Sequence, residues 1–400
     1  MATTRFLQHM HPGIFLVLIL HLLAGGCIER YFPDDEEVRA GTLVVSAHLT
    51  AGPGFQTIVL SRSTTLEFPS FDAETGCHVQ VEQEDGDAIV FEETVPGTYE
   101  GYLEPADLVT GHAYRLQIIT AGGKRYESSF ETLHPGVGID SVYFRNEFRP
   151  TTDPALTEEG IRFYLDFEIN RDSARYLRWQ LIETWEMHNP DYTTTRVYDT
   201  DRRNKPIPDS MTNRICWITM EVPEIFTRDL GAVSGNRYRA LPLNYVSTET
   251  QRLHHRYSLL VRQYSLGEDA FWYWDELGKN IQSKGTLFDT QPSLTPSNIC
   301  NVDDEEELVI GYFSISGVTE RRILVEEVPG LTLKEDPGFC EPGALPYSFG
   351  RLSPALLPYF MASKTVNGAE VMGGIPRRCI DCREYKGSTN VPPEYWADNE

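Results

Sequence analysis

Leu43–Leu49 reads LVVSAHL and Thr57–Ser63 reads TIVLSRS, two short alternating runs on either side of Ala51-Gly52-Pro53-Gly54. Side chains along a strand point to opposite faces in turn. Alternation of this length therefore predicts half-buried strands, and the Gly-Pro-Gly between them a tight reversal. The same grammar continues downstream. CHVQVEQ (Cys77–Gln83) turns through Glu84-Asp85-Gly86-Asp87 into AIVFEE (Ala88–Glu93), and GTYEGYL (Gly97–Leu103) follows. AYRLQIIT and KRYESSFET then flank Ala121-Gly122-Gly123. Short strands at roughly ten-residue spacing predict an Ig-like, fibronectin-like β-sandwich over residues 42–134. The segment has one cysteine and no tryptophan, so it lacks the Cys–Trp–Cys signature of true immunoglobulin domains.

His134-Pro135-Gly136-Val137-Gly138 punctuates the chain, and a larger β-rich domain is expected over 139–328. IDSVYFRNEF (Ile139–Phe148), IRFYLDFEIN (Ile161–Asn170) and YLRWQLIETWEM (Tyr176–Met187) are its long strand candidates. TTTRVYD, ICWITMEV and YRALPLNYV continue the pattern, around a polar DTDRRNKPIPDS segment that reads as a surface loop. Arg252–Leu266 alternates as one long strand. The period then changes from two to 3.6. Residues 268–284 form the one clear helix, with acids at its start and Lys284-Gly285 at its end. Phe271, Trp274, Leu277 and Ile281 make its apolar stripe, which predicts packing on the sheet. LVIGYFSISGVTERRILV (Leu308–Val325) suggests a hairpin, and residues 329–400 an irregular, disulfide-stapled extension rich in Gly, Pro and Cys. The fold class is mainly β.

Upstream of the sandwich, IFLVLILHLLAGGC (Ile14–Cys27) follows Arg5 and no acid. This order of basic, apolar and small residues is that of an export leader, and the run is too short to span a bilayer. A cysteine after Ala24-Gly25-Gly26 resembles the lipobox of bacterial lipoproteins, which makes residues 1–26 a signal peptide and Cys27 a lipid anchor. The alternative is an ordinary secretory signal with an incidental cysteine. Residues 27–41, containing Asp34-Asp35-Glu36-Glu37, read as an acidic tether. A net charge of −24 repels nucleic acid and anionic lipid and argues against phosphate binding.

With Cys27 acylated, six cysteines remain, enough for three bridges in an oxidising envelope. Cys340 is expected to pair with Cys379 or Cys382. One arrangement adds Cys216 with Cys300 and leaves Cys77 free or joined to a tail cysteine. Cys379-Ile380-Asp381-Cys382 has the CxxC spacing, but neither a βαβ context for redox chemistry nor a second CxxC for zinc. His254 and His255 are adjacent on a strand and point to opposite faces, and His188 has no carboxylate at ligand spacing. No HExxH, GxSxG, P-loop or GxGxxG is present, so no catalytic residue, metal or cofactor is assigned. Trp272 and Tyr273 lie off the helix's apolar stripe and are the candidate ligand or partner contacts, against packing on neighbouring loops as the plainer account.

Several segments together resemble one family. They are the lipobox, LVVSAHLT, GTYEGY, PGVGIDSV, VRQYSLGEDAFWYWDEL, GTLFDTQPSLTPSNI, VIGYFSISGVTERR and CIDCREYKGSTNVPPEYW. In this order they resemble the Bacteroidota lipoprotein family of the domain-of-unknown-function 4249 type. The resemblance implies a cell-surface protein of the outer membrane that accompanies a SusC-type TonB-dependent transporter in nutrient uptake. Three functions follow for testing: a non-enzymatic accessory or ligand-binding lipoprotein, an envelope glycan- or peptide-acting hydrolase, and an adhesin-like structural spacer.

Overall fold

The computed structural model describes residues 40–396, apart from 66–69, 87, 105, 152, 154–155, 170–173, 190–193, 232–234, 283–294 and 335–339. The leader, Cys27 and most of the tether lie outside the described residues.

The chain is mainly β, as expected. Leu43–Thr50 and Gly54–Arg62 pair antiparallel, and Gly54–Arg62 continues into Thr98–Leu103 and then Ala88–Val95. Ala88–Val95 bends and also pairs with His78–Gln83, which leads to Ala113–Ile119 and Arg125–Ser128. The strand thus turns from one sheet into a second that faces it. Inward residues from both sheets, among them Leu43, Ile58, Val79, Tyr99, Leu116 and Phe313, form one core. Each fully buried side chain of this kind contributes about 1.5–3 kcal/mol.

A second sandwich follows. Ile139–Pro150, Thr157–Glu168 and Arg237–Ser247 make a three-stranded sheet. Its inner face (Ile161, Phe163, Leu165, Phe167) packs on Leu177, Trp179, Leu181 and Leu259 of the neighbouring sheet. That sheet contains Tyr176–His188, paired with Ile215–Glu221 on one side and Tyr257–Leu266 on the other.

The two sandwiches share a strand. The hairpin expected over Leu308–Val325 is instead a single strand, Val309–Val325. Its first half runs parallel to Leu43–Thr50, from Leu43 against Val309 to Thr50 against Ser316. Its second half runs antiparallel to Tyr257–Leu266, from Ser265 against Gly317 to Tyr257 against Val325. Ile299–Asn301 likewise joins the first sandwich, on Arg125–Ser128. Two glycines make the shared strand workable. At Gly311 (φ +109°) a Cβ would lie 1.8 Å from the Val45 carbonyl oxygen. At Gly317 a Cβ would meet the Gly136 nitrogen and the His134 carbonyl oxygen at 2.4 Å, because the linker between the sandwiches crosses there. Both glycines mark close approach of backbones, not turns.

Other boundaries shift for local reasons. Arg252–Leu266 divides into a 3-10 turn at Gln251–Leu253 and a strand at Tyr257–Leu266. The helix is Glu268–Gln282. The polar segment after Tyr198 contributes the strand Asn204–Pro206 to a four-stranded sheet with Thr194–Tyr198 and the hairpin Tyr359–Val366/Ala369–Gly374. The otherwise irregular extension is therefore docked by pairing as well as by two disulfides, Cys340–Cys379 and Cys216–Cys382. The pairing of Cys216 with Cys300 does not form: Cys300 is a free, exposed thiol at the edge of the first sandwich, and Cys77 is also free.

Candidate functional site

Residues 177–182 of the strand Tyr176–His188 alternate between buried and half-buried. Leu177, Trp179 and Leu181 enter the core of the second sandwich, which sends Arg178 and Gln180 to the opposite face. That face is covered by the helix, whose Phe271 and Trp274 pack with Tyr176, Tyr264 and Leu266. Where the first sandwich abuts this layer, a cavity of about 450 Å³ remains. His48 and Thr50 line it from the first strand, Ser314 and Ser316 from the shared strand, Arg178 and Tyr264 from the second sandwich. Trp274 and Ile281 of the helix and the loop through Val222, Glu224 and Ile225 complete the wall.

The cavity is built around one cation. The Arg178 guanidinium lies 3.6 Å from the Trp274 ring centroid and 5.0 Å from that of Tyr264. Such stacking stabilises a cation by about 0.5–2 kcal/mol, well short of replacing its hydration. Among the described residues no carboxylate is within salt-bridge distance of Arg178, and its buried Nε has no acceptor. Burial lowers its pKa below the ordinary arginine value, opposed by Tyr264 and by Glu221 at the rim. An arginine remains charged through any such shift. A second buried donor, Trp274 Nε1, is also unpartnered. Tyr264 directs its hydroxyl to Gln180 Oε1 at 2.6 Å, which fixes the tyrosine facing the guanidinium.

His48 and Ser314 stand side by side on the parallel strands, with His48 Nδ1 3.0 Å from Ser314 Oγ. The imidazole packs against Trp274 at 4.7 Å. Burial, with the Arg178 charge behind it, lowers the His48 pKa to about 3, so the ring is neutral at physiological pH.

The aromatic pair proposed from the helical wheel is not on this cavity. Trp272 is exposed and meets Phe271 edge-on; Tyr273 is packed against Tyr312 at 4.7 Å. Tyr273 thus packs on the shared strand and not on a neighbouring loop. Ile281 at the end of the expected stripe is exposed at the cavity mouth. Arg178 and His48 were not singled out from sequence. The available signal was a charged residue inside a strand whose two faces are both covered.

The remaining candidates are placed as follows. Cys379 and Cys382 belong to different disulfides, so the CxxC forms no bridge of its own. His188 and His255 stack at 3.6 Å, beside Glu186, which pairs with His188 and accepts Trp396 Nε1 at 2.8 Å. Among the described residues no group of three or more His, Cys, Asp or Glu could hold a metal ion. No helix among them is long and apolar enough to cross a membrane.

Residues 28–322 match the model of a family described as "Domain of unknown function (DUF4249)". No curated protein matches the chain. Among solved structures, the crystal structure of collagen adhesin (CNA) from S. aureus overlaps 74% of this chain and 96% of its own, at 11% identity and a TM-score of 0.11. A likeness that slight carries no argument.

Proposed function

The chain belongs to the DUF4249 family, and from that premise we propose that it is a non-enzymatic binding protein of the outer membrane. In this reading Cys27 carries the lipid, the acidic tether holds the body off the membrane, and the cleft at the seam of the two sandwiches holds a small ligand. The protein then serves as the accessory, ligand-binding component of a SusC-type TonB-dependent uptake system. One observation carries the binding role: a cavity of about 450 Å³ whose wall holds Arg178, a cation with no carboxylate within salt-bridge distance among the described residues. A largely buried cation without a counterion costs stability, and an anionic ligand removes that cost.

A hydrolase reading rests on the Ser314–His48 contact, which has the spacing of a nucleophile and its base. The electrostatics oppose it. A base must gain charge as it takes the serine proton, and the neighbouring Arg178 and the buried setting disfavour that charge, with the His48 pKa near about 3. A productive triad places a carboxylate behind the imidazole; among the described residues none is hydrogen-bonded to His48, and the nearby charge is the Arg178 guanidinium.

The test is crosslinking in intact cells followed by recovery from solubilised outer membranes. The native chain should come down with a β-barrel transporter, and Cys27→Ser should shift it to the soluble fraction. Recovery of the native chain alone would count against the uptake role. Turnover of p-nitrophenyl acetate that disappears in Ser314→Ala would replace binding with hydrolysis.

A further inference from the structure

We propose that the cleft takes a small, largely apolar monocarboxylate, with its carboxylate on the edge of Arg178 and its body along the mouth beside Ile225 and Ile281. This inference rests on the reading of the cleft as a binding site and names what it binds.

The geometry of the guanidinium argues for a carboxylate. Trp274 and Tyr264 take positions over Arg178, which fixes the plane of the group. A guanidinium donates its hydrogen bonds within that plane, so stacking on its faces leaves the donating edge available. Those edge donors make no hydrogen bond with the described residues, although Arg178 lines the cavity. Two parallel N–H groups on a fixed plane match the two oxygens of a carboxylate.

The charge count argues for a monoanion. His48 is neutral in this setting, and among the described residues that line the cavity Arg178 is the sole cation. Glu221 and Glu224 line the outer part and are exposed. A single negative charge is matched by Arg178. A second would have no partner and would meet two rim carboxylates, so a phosphate monoester fits poorly. At the mouth the body meets Pro223, Ile225 and Ile281, so an apolar body is matched there.

The experiment is isothermal titration of the mature chain carrying Cys27→Ser, with 4-phenylbutyrate and hexanoate, their amides, and 3-phenylpropyl phosphate. Both acids should bind, and each amide and the phosphate should be weaker by about tenfold or more. Arg178→Met should bind acid and amide alike while melting no lower than the parent, since it removes an unpaired buried charge. The exposed double variant Glu221→Gln, Glu224→Gln should gain affinity for the phosphate by about tenfold or more. Equal binding of acid and amide by the parent overturns the carboxylate assignment and leaves the binding role standing. Tighter binding of the phosphate by the parent overturns it as well. No binding of acids or amides up to about 10 mM overturns both this inference and the binding role, since that is weaker than about 3 kcal/mol of affinity.

Discussion

Replacing Glu131 by Gln should stabilise this protein, and by an amount that depends on pH. Glu131 is buried where the first sandwich meets the start of the helix. Its Oε1 accepts from the Tyr312 hydroxyl at 2.5 Å and from Asn298 Nδ2 at 3.3 Å. Oε2 lies against Gly267, and Asp269 adds a second negative charge nearby. Burial dominates, the Tyr312 and Asn298 hydrogen bonds oppose it, Asp269 reinforces it, and the pKa rises from 4.5 to about 7. Below pH 4.5 the group is protonated both folded and unfolded, and its contribution is fully present. As pH rises, the unfolded chain ionises first, so stability falls until the folded group also ionises near pH 7. The whole shift amounts to about 3 kcal/mol, of which about 2.5 kcal/mol falls between pH 5 and pH 8. Glutamine keeps the acceptor for Tyr312 and Asn298 and removes the charge that Asp269 opposes. Urea unfolding followed by tryptophan fluorescence, native against Glu131→Gln, should show a stability difference that grows by about that amount from pH 5 to pH 8. A difference that stays flat across this range would refute the reasoning, because groups common to both proteins cancel.

Gly311→Ala should cost about 3 kcal/mol or more in the same unfolding assay, since its Cβ has no room against the Val45 carbonyl and its φ disfavours a side chain; a cost below about 1 kcal/mol would mean the two strands separate easily. Arg252→Met should cost about 3 kcal/mol, because Glu183, 3% exposed, keeps its Tyr257 hydrogen bond but loses both 2.9 Å contacts to Arg252. Adding Glu183→Gln to that variant should recover most of the loss, and failure to recover it would show that packing and not charge was at stake. Removing Cys216–Cys382, with a separation of 166 residues, should destabilise more than removing Cys340–Cys379, with a separation of 39, by about 1 kcal/mol on loop entropy. Thermal unfolding of the paired serine variants gives the comparison, and the reverse order would indicate that strain or local packing dominates.

Strands were legible because alternation is a local property: LVVSAHL and YLRWQLIETWEM declare their faces within a few residues. The shared strand was not, because its signal is split between distant partners. Leu308–Val325 suggests a hairpin in sequence, whereas Gly311 and Gly317 within it admit the Val45 carbonyl and the His134–Gly136 backbone. The helix was legible from its 3.6 period and its terminal charges. Its exposed face was only half legible, since nothing near Tyr273 in sequence announces Tyr312 as its stacking partner. The cleft was hidden for the same reason. Alternation places Arg178 away from the core, but the surface there is covered by a helix some ninety residues later in the chain, so a residue that looks solvent-facing is enclosed. Cysteine spacing left Cys379 and Cys382 as alternatives for Cys340. Backbone pairing decides between them, because the Asn213–Asp381 bridge and the Cys382 N–H donating to the Asn213 carbonyl at 2.9 Å bring Cys382 to Cys216.

The shared strand also sets a schedule for biogenesis. Leu43–Thr50 is among the first segments of the body to be synthesised, yet its parallel neighbour ends at Ser316. Until some 270 residues more have emerged, the first sandwich has an open edge of alternating, apolar-faced strand, the kind of surface that templates association with other chains. Folding dominated by such distant pairing is slow, because the loop must close before the contacts repay it. A chain truncated before Val309 should therefore accumulate as aggregate or be degraded instead of yielding a free N-terminal module, and quality control would act on the whole protein as one unit.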